Sequence, residues 1–317
     1  MSLYPDSGYE ASTYIYTYTC HEDELPLAQL ELRMLFGFEP QSRCIESARR
    51  IEPSRSPFIK QRLDVLLEGA DLPELARQAA SLTLKEGTTF KVVYVDTDGQ
   101  VDYDGARAIE RELGRHIRGT AEMRRPDLLF GAARANGRWV LGACSIPEPI
   151  WLRHQKKPQH YSTALSTRVA RAVANIAVPE PAGVRAIDPC CGIGTVLVEA
   201  LSMGVDIVGF DINPLAVRGA RANLAHFGFP DVVAIGDIRG LKGSYDTAIL
   251  DMPYNLCSKL PPQEQLAMLA SARRLASRAV IVTTEAVDPH LEQAGFRIAD
   301  RCVVRKGAFA RQIIVVT

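Results

Sequence analysis

From residue 184 onward the chain alternates short apolar runs with stretches of helical periodicity, and few architectures accept that rhythm. Runs of strand length stand at 184–187, 206–210, 232–235, 247–250 and 279–283. Between them, 195–203, 214–227 and 263–275 carry apolar residues at helical spacing. Alternating elements of this size imply right-handed crossovers and a parallel sheet. The tail departs from the pattern: 296–304 and 309–317 are β-rich and joined by the turn Arg305-Lys306-Gly307, which predicts a terminal hairpin. The expectation is an α/β fold whose seven-stranded sheet has a parallel core of five strands and an antiparallel C-terminal hairpin.

The first half is organised differently. Residues 14–20 alternate like a half-buried strand, and 25–36 have helical spacing ended by Gly37, a residue suited to a helix C-terminus. A strand is predicted at 90–95 and a helix at 103–116, followed by strands at 128–133 and 138–145 around an Asn136-Gly137 turn. The segment 147–161, rich in proline and basic residues, reads as a linker. At 317 residues and 47% hydrophobic, the chain has material for two cores. The predicted division is a smaller α+β region at 1–150 and an α/β domain at 151–317. Lysine plus arginine and aspartate plus glutamate both total 37, so no global charge draws the chain to nucleic acid and any basic surface must be local. There is no run of eighteen apolar residues and no basic-then-apolar leader, so a cytoplasmic protein without membrane association is expected. The seven cysteines form no Cys-x-x-Cys pair and lie in no set with zinc-ligand spacing; reduced thiols and no metal are expected.

After the run at 184–187 the chain passes through Asp188-Pro189-Cys190-Cys191-Gly192-Ile193-Gly194-Thr195 into a helix. Gly192 and Gly194 permit positive φ and close approach of a ligand to the backbone. Asp211 stands nineteen residues beyond Gly192 at the end of the second strand, where an acid can take ribose hydroxyls. At the end of the third strand, Asp237 can accept from an adenine amino group while Ile238 packs on the ring, and Asp188 can orient a methionine end or brace the loop. Taken singly, a Gly-x-Gly is an ordinary turn and an acid at a strand end an ordinary helix cap. Three acids at the carboxyl ends of three parallel strands face one crevice. A third glycine is missing where Val198 stands, which favours S-adenosyl-L-methionine over a dinucleotide.

Asp251-Met252-Pro253-Tyr254, at the end of the run 247–250, offers a means of activating an exocyclic amine. Such an amine is a poor nucleophile because its lone pair is delocalised into the ring. The Asp251 carboxylate and the Met252 carbonyl can accept its two N–H bonds and aim the lone pair at a methyl donor. Pro253 fixes the backbone, and Tyr254 can stack on the base. The plain alternative is a strand end followed by a proline turn. Carbon-5 methylation would use a cysteine nucleophile, and Cys257 does not directly follow the proline. A dehydrogenase would need a placed general acid, and neither His226 nor His290 suits that role.

These motifs, across about 159–317, resemble the UPF0020-like catalytic domain of THUMP-containing class I S-adenosylmethionine-dependent RNA methyltransferases, the group that makes N2-methylguanosine in tRNA. Residues 188–195 are similar to that family's Asp-Pro-Phe-Cys-Gly-Ser-Gly-Thr loop, and Glu199-Ala200 to the Glu-Ala that follows it. Phe210-Asp211-Ile212 and Gly236-Asp237 align with its second and third cofactor motifs, and residues 251–254 with its Asp-Pro-Pro-Tyr. The resemblance implies a Rossmann-like catalytic domain holding S-adenosyl-L-methionine through Asp188, Cys190, Gly192, Gly194, Thr195, Asp211, Ile212, Asp237 and Ile238. Asp251, Met252, Pro253 and Tyr254 are the implied catalytic set. Pro126-Asp127, the strand pair after it and His160-Tyr161-Ser162-Thr163-Ala164-Leu165 echo a THUMP module and its junction, which implies tRNA binding by the first half. Basic residues at Arg111, Arg115, His116, Arg118, Arg124 and Arg125, and at Arg153, His154, Lys156, Lys157 and Arg168, are candidates for phosphate contacts. N6-adenine methylation of RNA or DNA and a non-catalytic RNA-binding adaptor remain open beside guanosine N2, as does a small protein partner.

Overall fold

The computed structural model describes residues 11–161, 164–253, 260–306 and 309–317. In chain order the elements are β1 (Tyr14–Tyr18), α1 (Leu25–Phe36), β2 (Cys44–Ser47), β3 (Ile59–Gly69), α2 (Leu72–Ala79), β4 (Thr89–Tyr94), α3 (Tyr103–Gly114), β5 (Thr120–Ala121), β6 (Leu128–Ala135) and β7 (Arg138–Ser145). There follow α4 (Ile150–His154), α5 (Thr167–Ala177), β8 (Arg185–Asp188), α6 (Thr195–Ser202), β9 (Asp206–Asp211), α7 (Pro214–His226) and β10 (Val233–Ile235). The chain ends with β11 (Tyr245–Asp251), α8 (Pro262–Leu275), β12 (Ala276–Thr283), α9 (Asp288–Gln293), β13 (Ile298–Lys306) and β14 (Phe309–Val316).

Two compact units result, and the division is not a single cut near residue 150. The first takes the described residues up to Thr19 with Pro40–Glu148; the second takes Cys20–Glu39 with the described residues from Pro149 onward. The segment 20–39 leaves the first half because α1 has a strongly apolar face that α5 and β13 cover. Two polar ties fix it: buried Asn175 donates to Glu31 at 2.6 Å, and Arg33 forks onto Asp300 at 3.0 and 3.1 Å.

In the first unit a seven-stranded mixed sheet runs β2-β1-β3-β7-β6-β4-β5. The helices α2 and α3 pack Leu75, Ala79, Ile109 and Leu113 against Phe90, Phe130 and Leu141 of the sheet. The β6–β7 hairpin turns through Asn136 and Gly137 at φ 48° and 80°, the type I′ geometry that this dipeptide favours. β3 escapes sequence reading because its alternation is broken by a buried ion pair, Arg62 with Asp64. The eight-residue α2 is too short to show a period.

In the second unit the order is β10-β9-β8-β11-β12-β14-β13, with the first five strands parallel and β14 antiparallel between β12 and β13. This is the parallel five-stranded core with an antiparallel hairpin that the second half's rhythm predicts, and the class I methyltransferase arrangement that the resemblance implies. After β10 the chain returns across β8 to build β11, so the crevice outside the carboxyl ends of β8 and β11 lies at a topological switch point. One sheet face packs α8 and α9 through Leu250, Met268, Leu269, Ile281 and Leu291, and α5 lies against β11, β12 and β14. Among the described residues no helix is long and apolar enough to cross a membrane.

The expected linker is partly helical. α4 buries Trp151 and His154 through one buried carboxylate, Glu199 of α6. Glu199 lies 2.8 Å from His154 Nδ1 and accepts from Arg171 at 2.8 Å; Arg171 also donates to Ser202 at 2.9 Å and lies over the Trp151 ring. Removing one partner of such a pair strands the other charge in the core. Arg171→Met is therefore expected to destabilise the second unit by about 3–5 kcal/mol in urea unfolding, and adding Glu199→Leu should recover a large part of the loss.

Candidate active site

The site begins where β8 ends. The Cys191 N–H donates to Phe210 O at 2.8 Å, so the loop leaving β8 is stitched to β9 before α6 begins. Gly209 of β9 allows that approach: a Cβ there would lie 2.5 Å from Leu197 Cδ1 and 3.1 Å from Cys191 Sγ. Gly192 and Gly194 take φ of 54° and 76°, a left-handed conformation that a side chain disfavours, and Gly194 opens α6 with no side-chain cap. The first amides of α6 thus face the crevice end of the sheet. From α7, buried Asn223 holds the loop by donating to Ile193 O at 2.9 Å.

Four aspartates meet here. Asp211 takes the Gly192 N–H on one oxygen and the Asn213 N–H on the other, both at 2.8 Å. Asp188, 2% exposed, accepts one backbone bond from Cys190 at 3.2 Å. Burial pushes its carboxyl well above the usual range, and the neighbouring Asp251 and Asp211 push it further. Arg239 donates to Asp237 through Nε at 2.9 Å and Nη2 at 2.5 Å, which holds the carboxyl below the ordinary value. Asp251 is pushed up to about 7 by burial, with Arg311 drawing it the other way. Its Oδ1 is buried and has no hydrogen-bond partner among the described residues.

All four open on one cavity of about 410 Å³. Of the sequence-derived set, Asp188, Cys190, Gly192, Thr195, Asp211, Ile212, Asp237, Ile238, Asp251, Met252 and Pro253 line it. Gly194 is not in its wall but starts the helix behind it. Tyr254 and Cys257 lie outside the described residues. Sequence reading missed Tyr161, Ala164 and Leu165, which it left in or beside the linker, and Arg239, Leu260, Glu264 and Met268. The i, i+4 spacing of Glu264 and Met268 was the available signal for a shared helix face. His226 and His290 are not in the wall.

Several basic residues singled out as phosphate contacts are otherwise engaged. His154 and Lys157 are buried, Arg168 pairs with Glu24 at 2.8 Å, and Arg115 pairs with Glu112 at 2.7 Å. Arg115 meets an acid of its own helix and Arg168 one distant in the chain, which a count of charges does not reveal.

The donor set fits S-adenosyl-L-methionine. Burial makes Asp188 and Asp251 hold protons tightly, and Arg239, the only cation among the described wall residues, is spent on Asp237. A ligand carrying a sulfonium and an ammonium supplies the missing charge. Asp211 keeps lone pairs for a diol, and Ile238 offers an apolar face.

Residues 154–294 match the model of the UPF0020 family, an RMKL-like methyltransferase domain. A tRNA (guanine(10)-N2)-dimethyltransferase of Methanothermobacter thermautotrophicus is 33% identical over 169 residues, 50% of this chain and 49% of that protein. The U6 snRNA (guanine-N(2))-methyltransferase THUMPD2 of Mus musculus is 27% identical over 244 residues, 72% of this chain and 45% of that protein. The chain thus spans about half the length of these curated relatives. TrmN from Thermus thermophilus, a solved structure, is 20% identical with a TM-score of 0.48, over 96% of this chain and 99% of that one.

Asp251 has a consequence for stability. Its folded-state value of about 7 exceeds the ordinary 3.8, so between these values the folded protein binds more protons than the unfolded chain. Stability without cofactor should therefore fall as pH rises from about 4 to about 7 and then level off as far as this group is concerned. Thermal melts of the cofactor-free protein at about pH 5 and about pH 8 should differ less in Asp251→Asn than in the parent.

Proposed function

We propose that this chain, whose residues 154–294 match the UPF0020 methyltransferase domain, is an S-adenosylmethionine-dependent RNA methyltransferase acting on guanosine N2 in tRNA. The observation that carries the reading is the buried Oδ1 of Asp251, without a hydrogen-bond partner among the described residues, at the switch point of the sheet. A buried carboxylate oxygen without a donor is costly, and an exocyclic N–H is a donor of the right kind.

In this reading the cofactor supplies an electrophilic methyl group on a sulfonium. The glycine loop and Asp188 hold its amino-acid end, Asp211 the ribose, and Asp237 with Ile238 the adenine. Asp251 in its ionised form accepts one N–H of the target amine, and the Met252 carbonyl accepts the second. As the amine becomes positive, Asp251 Oδ1 takes the proton it sheds, for which an affinity near neutrality is well matched. Tyr254 would stack on an extruded base. The first unit serves as a THUMP-like RNA-binding module, with exposed Arg111, Arg118, Arg124 and Arg125 toward phosphates, and the protein works in the cytoplasm. Support for guanosine N2 comes from the names of the two relatives.

Asp211→Ala should weaken S-adenosylmethionine binding about 10- to 100-fold by isothermal titration. Asp251→Ala should leave that affinity within about threefold while turnover drops roughly 100- to 1,000-fold. The reading is tested by mass-spectrometric nucleoside analysis of tRNA from cells lacking the protein. Loss of N2-methylguanosine, restored by the parent gene and not by Asp251→Ala, is the expected result. Loss of N6-methyladenosine would reassign the base, and an unchanged nucleoside profile in all RNA and DNA would refute the methyltransferase reading.

A further inference from the structure

Tyr161 is the only aromatic ring among the described residues of the cavity wall, and it keeps 61% of its surface exposed. Its place is set two residues earlier. Asn223 of α7, fully buried, grips Gln159 at both backbone groups, accepting from its N–H at 2.9 Å and donating to its carbonyl at 3.2 Å. The same side-chain amide donates to Ile193 O in the glycine loop at 2.9 Å. One buried amide therefore ties the segment carrying Tyr161 to the loop at the cofactor end of the cavity. On the sheet side, the carboxyls of Asp188, Asp211 and Asp251 line the same wall, and Arg239, the only cation among the described wall residues, is paired with Asp237.

We propose that the Tyr161 ring covers the cofactor's sulfonium in this cavity, with Asn223 as the residue that positions it. An aromatic face attracts a cation through its quadrupole and cannot exchange a proton with it. It thus adds to cation binding without a further acid in a cluster where burial already raises the proton affinity of two carboxyls. Ala164 and Leu165, in the same wall, supply the apolar surface that strengthens such a contact by excluding water. The inference rests on the methyltransferase reading.

The discriminating probes are S-adenosylmethionine, a sulfonium, and S-adenosylhomocysteine, its neutral thioether, titrated calorimetrically into the full chain. Tyr161→Phe should keep both affinities within about twofold. Tyr161→Leu should weaken the sulfonium about 10-fold and the thioether less than about threefold. Asn223→Ser should weaken the sulfonium in the parent background and add little in the Tyr161→Leu background, the mark of two residues acting through one contact. Equal losses for both ligands in Tyr161→Leu, or no loss for either, would overturn the proposal. Failure of the unsubstituted protein to bind either ligand would instead refute the methyltransferase reading on which it stands.

Discussion

The carboxylate of Asp211 is the tie on which the site depends. It leaves the end of β9 and accepts the Gly192 N–H from the loop after β8, while its second oxygen accepts from Asn213 and shapes the entry to α7. That geometry exists because β8 and β9 are parallel neighbours whose register sets Asp188 beside Gly209. Lacking a side chain, Gly209 admits Cys191 and Leu197 to the same spot. The glycine loop, the start of α6 and the start of α7 thereby share one short set of contacts, and the cavity is the space that these elements enclose with β11.

The same convergence concentrates like charge. Parallel strands bring their carboxyl ends together, so acids that are far apart in the chain become neighbours in a poorly hydrated place. Burial makes Asp188 and Asp251 hold protons more tightly than free carboxyls do, and at Asp188 the neighbouring acids add to the effect. Such an arrangement is unfavourable in the isolated protein and favourable around a cation, which is the usual sign of a binding site rather than of a core. Around it the fold uses fully satisfied polar clamps: Glu199 with Arg171 and His154, Asn223 with Gln159 and Ile193, and Arg274 donating to the carbonyls of Arg239 and Leu241. Each crosses between elements and holds in place the backbone of a segment in or beside the cavity wall.

Local patterns made much of the second unit legible. Apolar runs, a glycine pair and acids at strand ends announce a parallel α/β sheet, and the run Asp251-Met252-Pro253 announces the end of β11. The first unit was less legible. Half-buried strands such as β3 hide charged residues inside, and α1 shows its helix but not the partner it packs on. The linker reading failed for a related reason: proline and basic residues at 147–161 look solvated, yet Trp151, His154 and Lys157 are buried.

By itself, the sequence determined which segments become strands and helices in the second half, where the backbone must turn left-handed, and which acids end the strands. These are properties of short stretches, set by side-chain period and backbone sterics. Only the tertiary structure decided that α1 joins the second unit, that Tyr161 enters the cavity wall and that Arg168 is taken by Glu24. It also decided that Asp251 is left with an oxygen that nothing among the described residues satisfies. Those outcomes depend on contacts between residues distant in the chain, and on the burial that strand order imposes, which no local pattern carries.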